Sequence, residues 1–429
     1  MDTLTNDAAQ EQPEEGQHAY RRAGLQRFFL HRHFALLWSG QTVSAFGSYI
    51  TGIGLPMAAL LLLHASPAQM GLLTALGALP GLLAGLFIGV WVDRLPRRPV
   101  LILSDLARAV LLGLIPLVFF AGILSLSWFY IVTVLVGLLT VSFDVASLAF
   151  LPTLLAPDEL ATGNSRLGTS SSVAEIGGPP MASVLVQLLT APIAILLDAL
   201  SFLFSAVCIS LIRVPEHPRP ISTETRHFWR EMREGLSALF GNPVLRAMAA
   251  YICSHNFFGG SFAALYLLYT VQLFGNTPFV YSISVAFGGV GALVGSFTAG
   301  FFARRFGYGK TMLVSALVFD TLALSAPLAM GPAPLILLML AVPQLIGDAG
   351  FAIYSINEIS LRQEIVPEHL LGRINSCMHI LSNGIMPVGA LLAGLLSERI
   401  GIRLTLLIGA TGIALSTGWL YFSPLRRVR

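Results

Sequence analysis

Ionisable side chains sit inside apolar stretches of this chain at Asp105, Asp144, Glu175, Asp198, His255, Asp320 and Asp348. A charged residue at the centre of a membrane helix costs about 2.5–3.5 kcal/mol on insertion scales, so such groups carry a proton, hold a polar ligand or tie helices together. Three of them lie on polar stripes at helical spacing. These run Thr133, Gly137, Thr140, Asp144, Ser147; then Ser171, Glu175, Gly178, Ala182; then Gln344, Asp348, Ser355, Glu358. Stripes of this kind predict a shared water-accessible cavity. Desolvation favours the neutral form of a carboxyl, so an acid that is wet in one state and closed off in another binds a proton and gives it up. Glu175 is the first proton-coupling candidate, Asp144 the second and Asp348 the third. The alternative for each is a neutral, hydrogen-bonded acid that locks helices together.

His255 and Asn256 are followed by Phe262, Tyr266 and Tyr269. That run reads either as an aromatic wall for a planar or amphipathic ligand or as packing and an interfacial belt. With Gln41 and Gln344, His255, Asn256 and Tyr266 form the set of substrate-cavity candidates.

The elements that position these residues are apolar helices. Of the 429 residues 55% are hydrophobic and 11% charged, against about 25% charged in soluble domains, and the mean hydropathy is +0.77. A helix needs about 20 apolar residues to cross the hydrocarbon core. Runs of that kind lie near Phe34–Leu63, Met70–Val92, Val100–Ala121, Trp128–Leu155, Leu167–Leu189 and Pro192–Ile212, and again near Pro243–Phe274, Phe279–Ala303, Thr311–Met330, Pro334–Val366, Cys377–Leu396 and Ile402–Phe422. The expected fold class is therefore an all-α membrane protein with twelve transmembrane helices in two six-helix bundles. Residues 1–33 form an N-terminal tail, 34–212 the first bundle, 213–242 a linker, 243–422 the second bundle and 423–429 a C-terminal tail.

Basic residues are retained on the cytoplasmic side. With both termini inside, only Arg399 and Arg403 of the 25 Lys and Arg face outward, which fixes the expected orientation in a bacterial cytoplasmic membrane. The polar N-terminus lacks the basic start and short apolar run of a cleavable signal. In the linker, Phe228, Met232, Leu236 and Leu239 share a face opposite Arg230, Arg233 and Glu234. This reads either as a helix on the inner membrane surface or as a solvated linker helix. A net charge of +3 in short scattered clusters gives no nucleic-acid face. Cys208, Cys253 and Cys377 all fall in apolar stretches, so neither a disulfide nor a metal site is expected.

The two halves repeat one another. Gly89-Val-Trp-Val-Asp93-Arg94-Leu-Pro-Arg97-Arg98 after the second span answers Gly300-Phe-Phe-Ala-Arg304-Arg305 after the eighth. Pro157-Asp-Glu-Leu160 with Asn164-Ser165 answers Pro367-Glu-His-Leu370 with Asn375-Ser376. Duplicated six-helix halves put a ligand site near the midplane between them, exposed alternately as one half rocks against the other.

Through Gly89, Asp93, Arg94, Arg97 and Arg98, which fill the pattern GxxxDRxxRR, the chain resembles the major facilitator superfamily over nearly its whole length. The run Ser360–Ser376 and Leu197-Asp198-Ala199-Leu200-Ser201-Phe202 are similar to the branch containing macrolide-efflux and enterobactin-export proteins. The resemblance implies that Asp93 and its arginines form a cytoplasmic charge cluster holding the halves together in the outward-facing state, with Asp105 and Arg108 as a structural pair beside it. Arg304 stands where the second copy would carry the acid, so the cluster is expected to be asymmetric. Gly178 and Pro179 are similar to the Gly-Pro motif of the superfamily's exporters, with Ala182 and Ser183 in place of further glycines.

The function implied is export of a drug, antibiotic or siderophore-like small molecule by proton antiport, with no cofactor beyond the proton gradient and a monomer embedded in lipid. A proton-coupled importer and a lysophospholipid flippase of the same fold are the alternatives. Gly309-Lys310-Thr311 ends like a phosphate loop, but Arg304 occupies the required glycine's place, which excludes nucleotide hydrolysis. Neither HExxH nor GxSxG occurs, so a multi-pass enzyme is not expected.

Overall fold

A computed structural model describes residues 32–83, 95–214, 228–274 and 279–427. Among these residues every regular element is a helix. The first bundle comprises α1 (Arg32–Leu63), α2 (Pro67–Leu83), α3 (Arg97–Phe120), α4 (Leu126–Phe150), α5 (Leu160–Leu189) and α6 (Ala191–Ser210). A linker helix (Phe228–Gly241) precedes α7 (Pro243–Leu273), α8 (Phe279–Phe306), α9 (Tyr308–Leu322), α10 (Ala333–Ile365), α11 (Glu368–Ile400) and α12 (Ile402–Ser416). Among the described residues 9 helices are long and apolar enough to span a membrane, or up to 10 counting the bent pair of linker helix and α7. Each of the twelve expected spans contains a described helix, which is consistent with the count.

Two helices begin earlier than the apolar runs suggest. α5 starts at Leu160 and α11 at Glu368, immediately after the Pro157 and Pro367 turns that repeat between the halves. The turns that follow carry Asn164, Ser165 and Arg166, and Arg373, Asn375 and Ser376. These polar residues extend a helix beyond the hydrocarbon without adding to its hydropathy.

The linker helix meets α7 at 106°. Pro243 opens α7 and the Asn242 side chain accepts from the backbone N–H groups of Val244 and Leu245, a cap that starts a new helix axis. Leu239 is fully buried, Met232 and Leu236 pack beside it in the core of the second bundle, and Glu234 pairs with Arg373 of α11. The apolar face of the linker therefore lies on protein, a placement neither sequence reading considered. Phe228 and Arg230 have side chains outside the described set.

The halves meet where α2 packs on α11, α8 on α5 and α7 on α2. At the α2–α11 contact the backbones touch: a Cβ on Gly71 would come within 2.7 Å of the Ala390 carbonyl, and one on Gly394 within 2.7 Å of the Pro67 carbonyl. Beside it Ser66 Oγ donates to Glu398 at 2.6 Å. One end of the molecule, that of the α1–α2 and α11–α12 connections, is thus closed.

Candidate functional site

A cavity of about 330 Å³ lies within the second bundle. α7 supplies His255, Asn256, Phe262 and Tyr266 to its wall, α8 Tyr281, α9 Phe319, and α10 Gln344 and Asp348. Four substrate-cavity candidates, His255, Asn256, Tyr266 and Gln344, therefore converge with the proton candidate Asp348 on one space. Its lining comes from the second bundle alone, whereas the repeat suggested a site between the halves. Asn256 Nδ2 donates to the Ser382 carbonyl at 2.8 Å, tying α7 to α11. Gln344 Nε2 donates to Asp348 Oδ2 at 2.9 Å. Tyr266 has its ring centroid 6.1 Å from that of Phe262 and 5.9 Å from that of Tyr281, making one side of the wall aromatic. Tyr269 packs instead with Ala264, Leu265 and Ala390.

Behind the wall sits Asp320, fully buried. It accepts from Thr417, from Ser416 Oγ at 3.4 Å and from Tyr251 Oη at 3.3 Å. His255 Nδ1 lies 3.0 Å from Asp320 Oδ1, off the hydrogen-bonding direction, so the contact is electrostatic. The imidazole is stacked on Phe319 with centroids 5.2 Å apart and on Phe351 at 6.4 Å. Asp320 stood out in the sequence only as one more intramembrane acid. Its partners come from two helices far apart in the chain, α7 and the end of α12, and no spacing rule connects them.

The first bundle holds a different network. Asp105 and Arg108 pair one turn apart on α3, both buried. The Arg108 guanidinium lies 4.1 Å from the Phe202 ring centroid and 4.6 Å from that of Phe143, donates to Thr140 at 3.2 Å, and feels the charges of Asp144 and Asp198. Asp198 accepts from Thr51 and, at 2.9 Å, from Ser201. Gln41 donates to Ser147, joining α1 to α4. Asp144 and Glu175 are exposed. Glu175 precedes Ile176, the residue at which α5 touches Gly289 of α8. Gly178 lets α5 close on α1, since a Cβ there would lie 2.7 Å from the Tyr49 ring, and Pro179 beside it is buried.

Of the expected charge cluster, Gly89, Asp93 and Arg94 lie outside the described residues. Arg97 and Arg98 open α3. Arg98 donates to the Ile209 and Ser210 carbonyls at 3.3 and 2.7 Å, capping the C-terminus of α6 within the first bundle, where a cation is favoured by the helix dipole.

Residues 37–390 match the family model described as Major Facilitator Superfamily. The chain is 27% identical to macrolide efflux protein A of Streptococcus pyogenes, over 88% of this chain and 92% of that protein. It is also 27% identical to the multidrug efflux pump Tap of Mycolicibacterium fortuitum, over 87% and 90%. Among solved structures, that of the nucleoside transporter NupG superposes with a TM-score of 0.68 at 13% identity, covering 91% of this chain and 98% of that one. Repeated halves, apolar spanning helices, an internal cavity and a family match along most of the length agree: the chain is a multi-pass membrane transporter that belongs to the Major Facilitator Superfamily.

Proposed function

We propose that the protein exports drug, antibiotic or siderophore-like small molecules from the bacterial cytoplasm by proton antiport, its halves rocking to expose the cargo alternately. The observation that carries this reading is the convergence of His255, Asn256, Gln344 and Asp348 on one partly aromatic cavity inside a membrane bundle. Relatives named for macrolide and multidrug efflux support the direction. The close contact at Gly71 and Gly394 supports alternating access, since halves packed together at one end can part there as one rocks against the other. Both termini are cytoplasmic, one copy suffices, the proton gradient replaces any cofactor, and no covalent chemistry is performed.

Glu175 is the leading proton carrier in this reading, followed by Asp144 and Asp348. In cells challenged with a macrolide, Glu175→Gln abolishes efflux while membrane expression is retained. Unchanged efflux in that variant removes Glu175 from the mechanism. Substrate added to inverted vesicles releases protons if the protein is an antiporter, whereas proton uptake with the cargo identifies a symporter.

A further inference from the structure

The Asp320 carboxylate is surrounded by hydroxyls from two helices: Tyr251 of α7 on one oxygen, and Ser416 and Thr417 at the end of α12 on the other. Hydroxyls donating to both oxygens are the partner set of an ionised carboxylate. Among the described residues His255 is the one side chain able to become a cation at ion-pair distance from it. Other titratable groups face the pair from α10: Asp348 on the cavity wall, Tyr354 with its ring 4.8 Å from that of Tyr251, and Glu358, already paired with Arg362 at 2.9 Å. α11 presents Met386 to the cavity.

A buried carboxylate in an apolar bundle is stabilised by a counter-charge as well as by its hydroxyl donors. With a neutral imidazole, the wall behind the cavity carries one uncompensated negative charge; with an imidazolium, it carries none. The ring is fixed by Phe319 and Phe351 and lines the cavity as well as facing Asp320. One residue thus sees both the fixed charge and the cargo space. Phe262, Tyr266, Tyr281 and Phe319 line that space, and aromatic rings are the groups that hold an organic cation.

We propose that His255, backed by Asp320, is the position at which a proton and a monovalent organic cation exclude one another in the second bundle. The proposal rests on the antiport reading and names the chemical class of its cargo. Either species neutralises Asp320. Protonation of His255 discharges the cation, and its deprotonation recruits one, so a single proton replaces a single positive charge.

The test is ethidium binding to the purified full-length protein at about pH 5.5 and about pH 8.5. Wild type binds about tenfold or more weakly at the lower pH, because competing like charges cost that much at close range. His255→Gln, or His255→Asn as the second variant, removes the competitor and binds nearly equally at both pH values. Asp320→Asn binds weakly at both. Asp348→Asn keeps the pH slope. Without any variant, ethidium binding to wild type at the lower pH releases protons by linkage.

A slope that survives in both His255 variants but vanishes in Asp348→Asn moves the exchange to Asp348 and overturns the proposal. So does ethidium binding without proton release, or no ethidium binding at either pH. In that last case macrolide efflux from cells that still depends on Glu175 leaves the exporter reading standing, so the two failures are distinguishable.

Discussion

Asp105 on the third helix of the first bundle and Asp320 on the third helix of the second are both fully buried, yet their partners differ in kind. Asp105 is paired with Arg108 from its own helix, a guanidinium that stays charged at any working pH and lies over two phenylalanine rings. Asp320 is paired with His255 from another helix, whose charge is conditional, and with three hydroxyls that hold the carboxylate when the imidazole is neutral. Duplication supplied one scaffold twice. Side-chain choice made one copy a fixed anchor and left the other free to change charge.

The contrast breaks most visibly at the anchor. Arg108→Gln leaves Asp105 and Asp198 buried without their cation, and loss of one partner from a buried pair costs about 3–5 kcal/mol. The expected outcome is little or no folded protein by fluorescence-detected size exclusion. Arg108→Lys keeps the charge but replaces a flat guanidinium over two rings with a compact ammonium, a loss of about 1–2 kcal/mol. A folded peak that melts earlier is expected there. His255→Gln costs about 1 kcal/mol, because Asp320 keeps its hydroxyl donors. A melting temperature close to wild type, with altered transport, is the signature. Thr417→Val removes one of those donors and costs about 1 kcal/mol or less. If His255→Gln proves as damaging as Arg108→Gln, both pairs are structural anchors and the contrast dissolves.

The apolar helices, and the one polar stripe that reaches the cavity, were legible in the sequence because hydropathy and helical spacing are local properties; the stripes of Asp144 and Glu175 do not line that cavity. Gln344 and Asp348 reach the same cavity for that reason: they stand one turn apart on α10. His255 was legible as a cavity residue because it interrupts an apolar helix. The role of Asp320 was not, since Tyr251, His255, Ser416 and Thr417 reach it from α7 and from the end of α12. The linker helix shows the same limit. Its amphipathicity was plain at Met232, Leu236 and Leu239, but whether lipid, water or protein covers that face depends on α11, which lies far along the chain.

That docking fixes where the chain can be divided. The helix carrying Glu234 and Leu239 is built into the second bundle, with Gly235 seated against Cys377 and the Arg373 backbone. A break between Val214 and Phe228 separates two polypeptides that each keep their described packing, and coexpressed fragments cut there should reassemble. A break at Asn242 strands the helix on the wrong fragment and strips the α7 start of its cap.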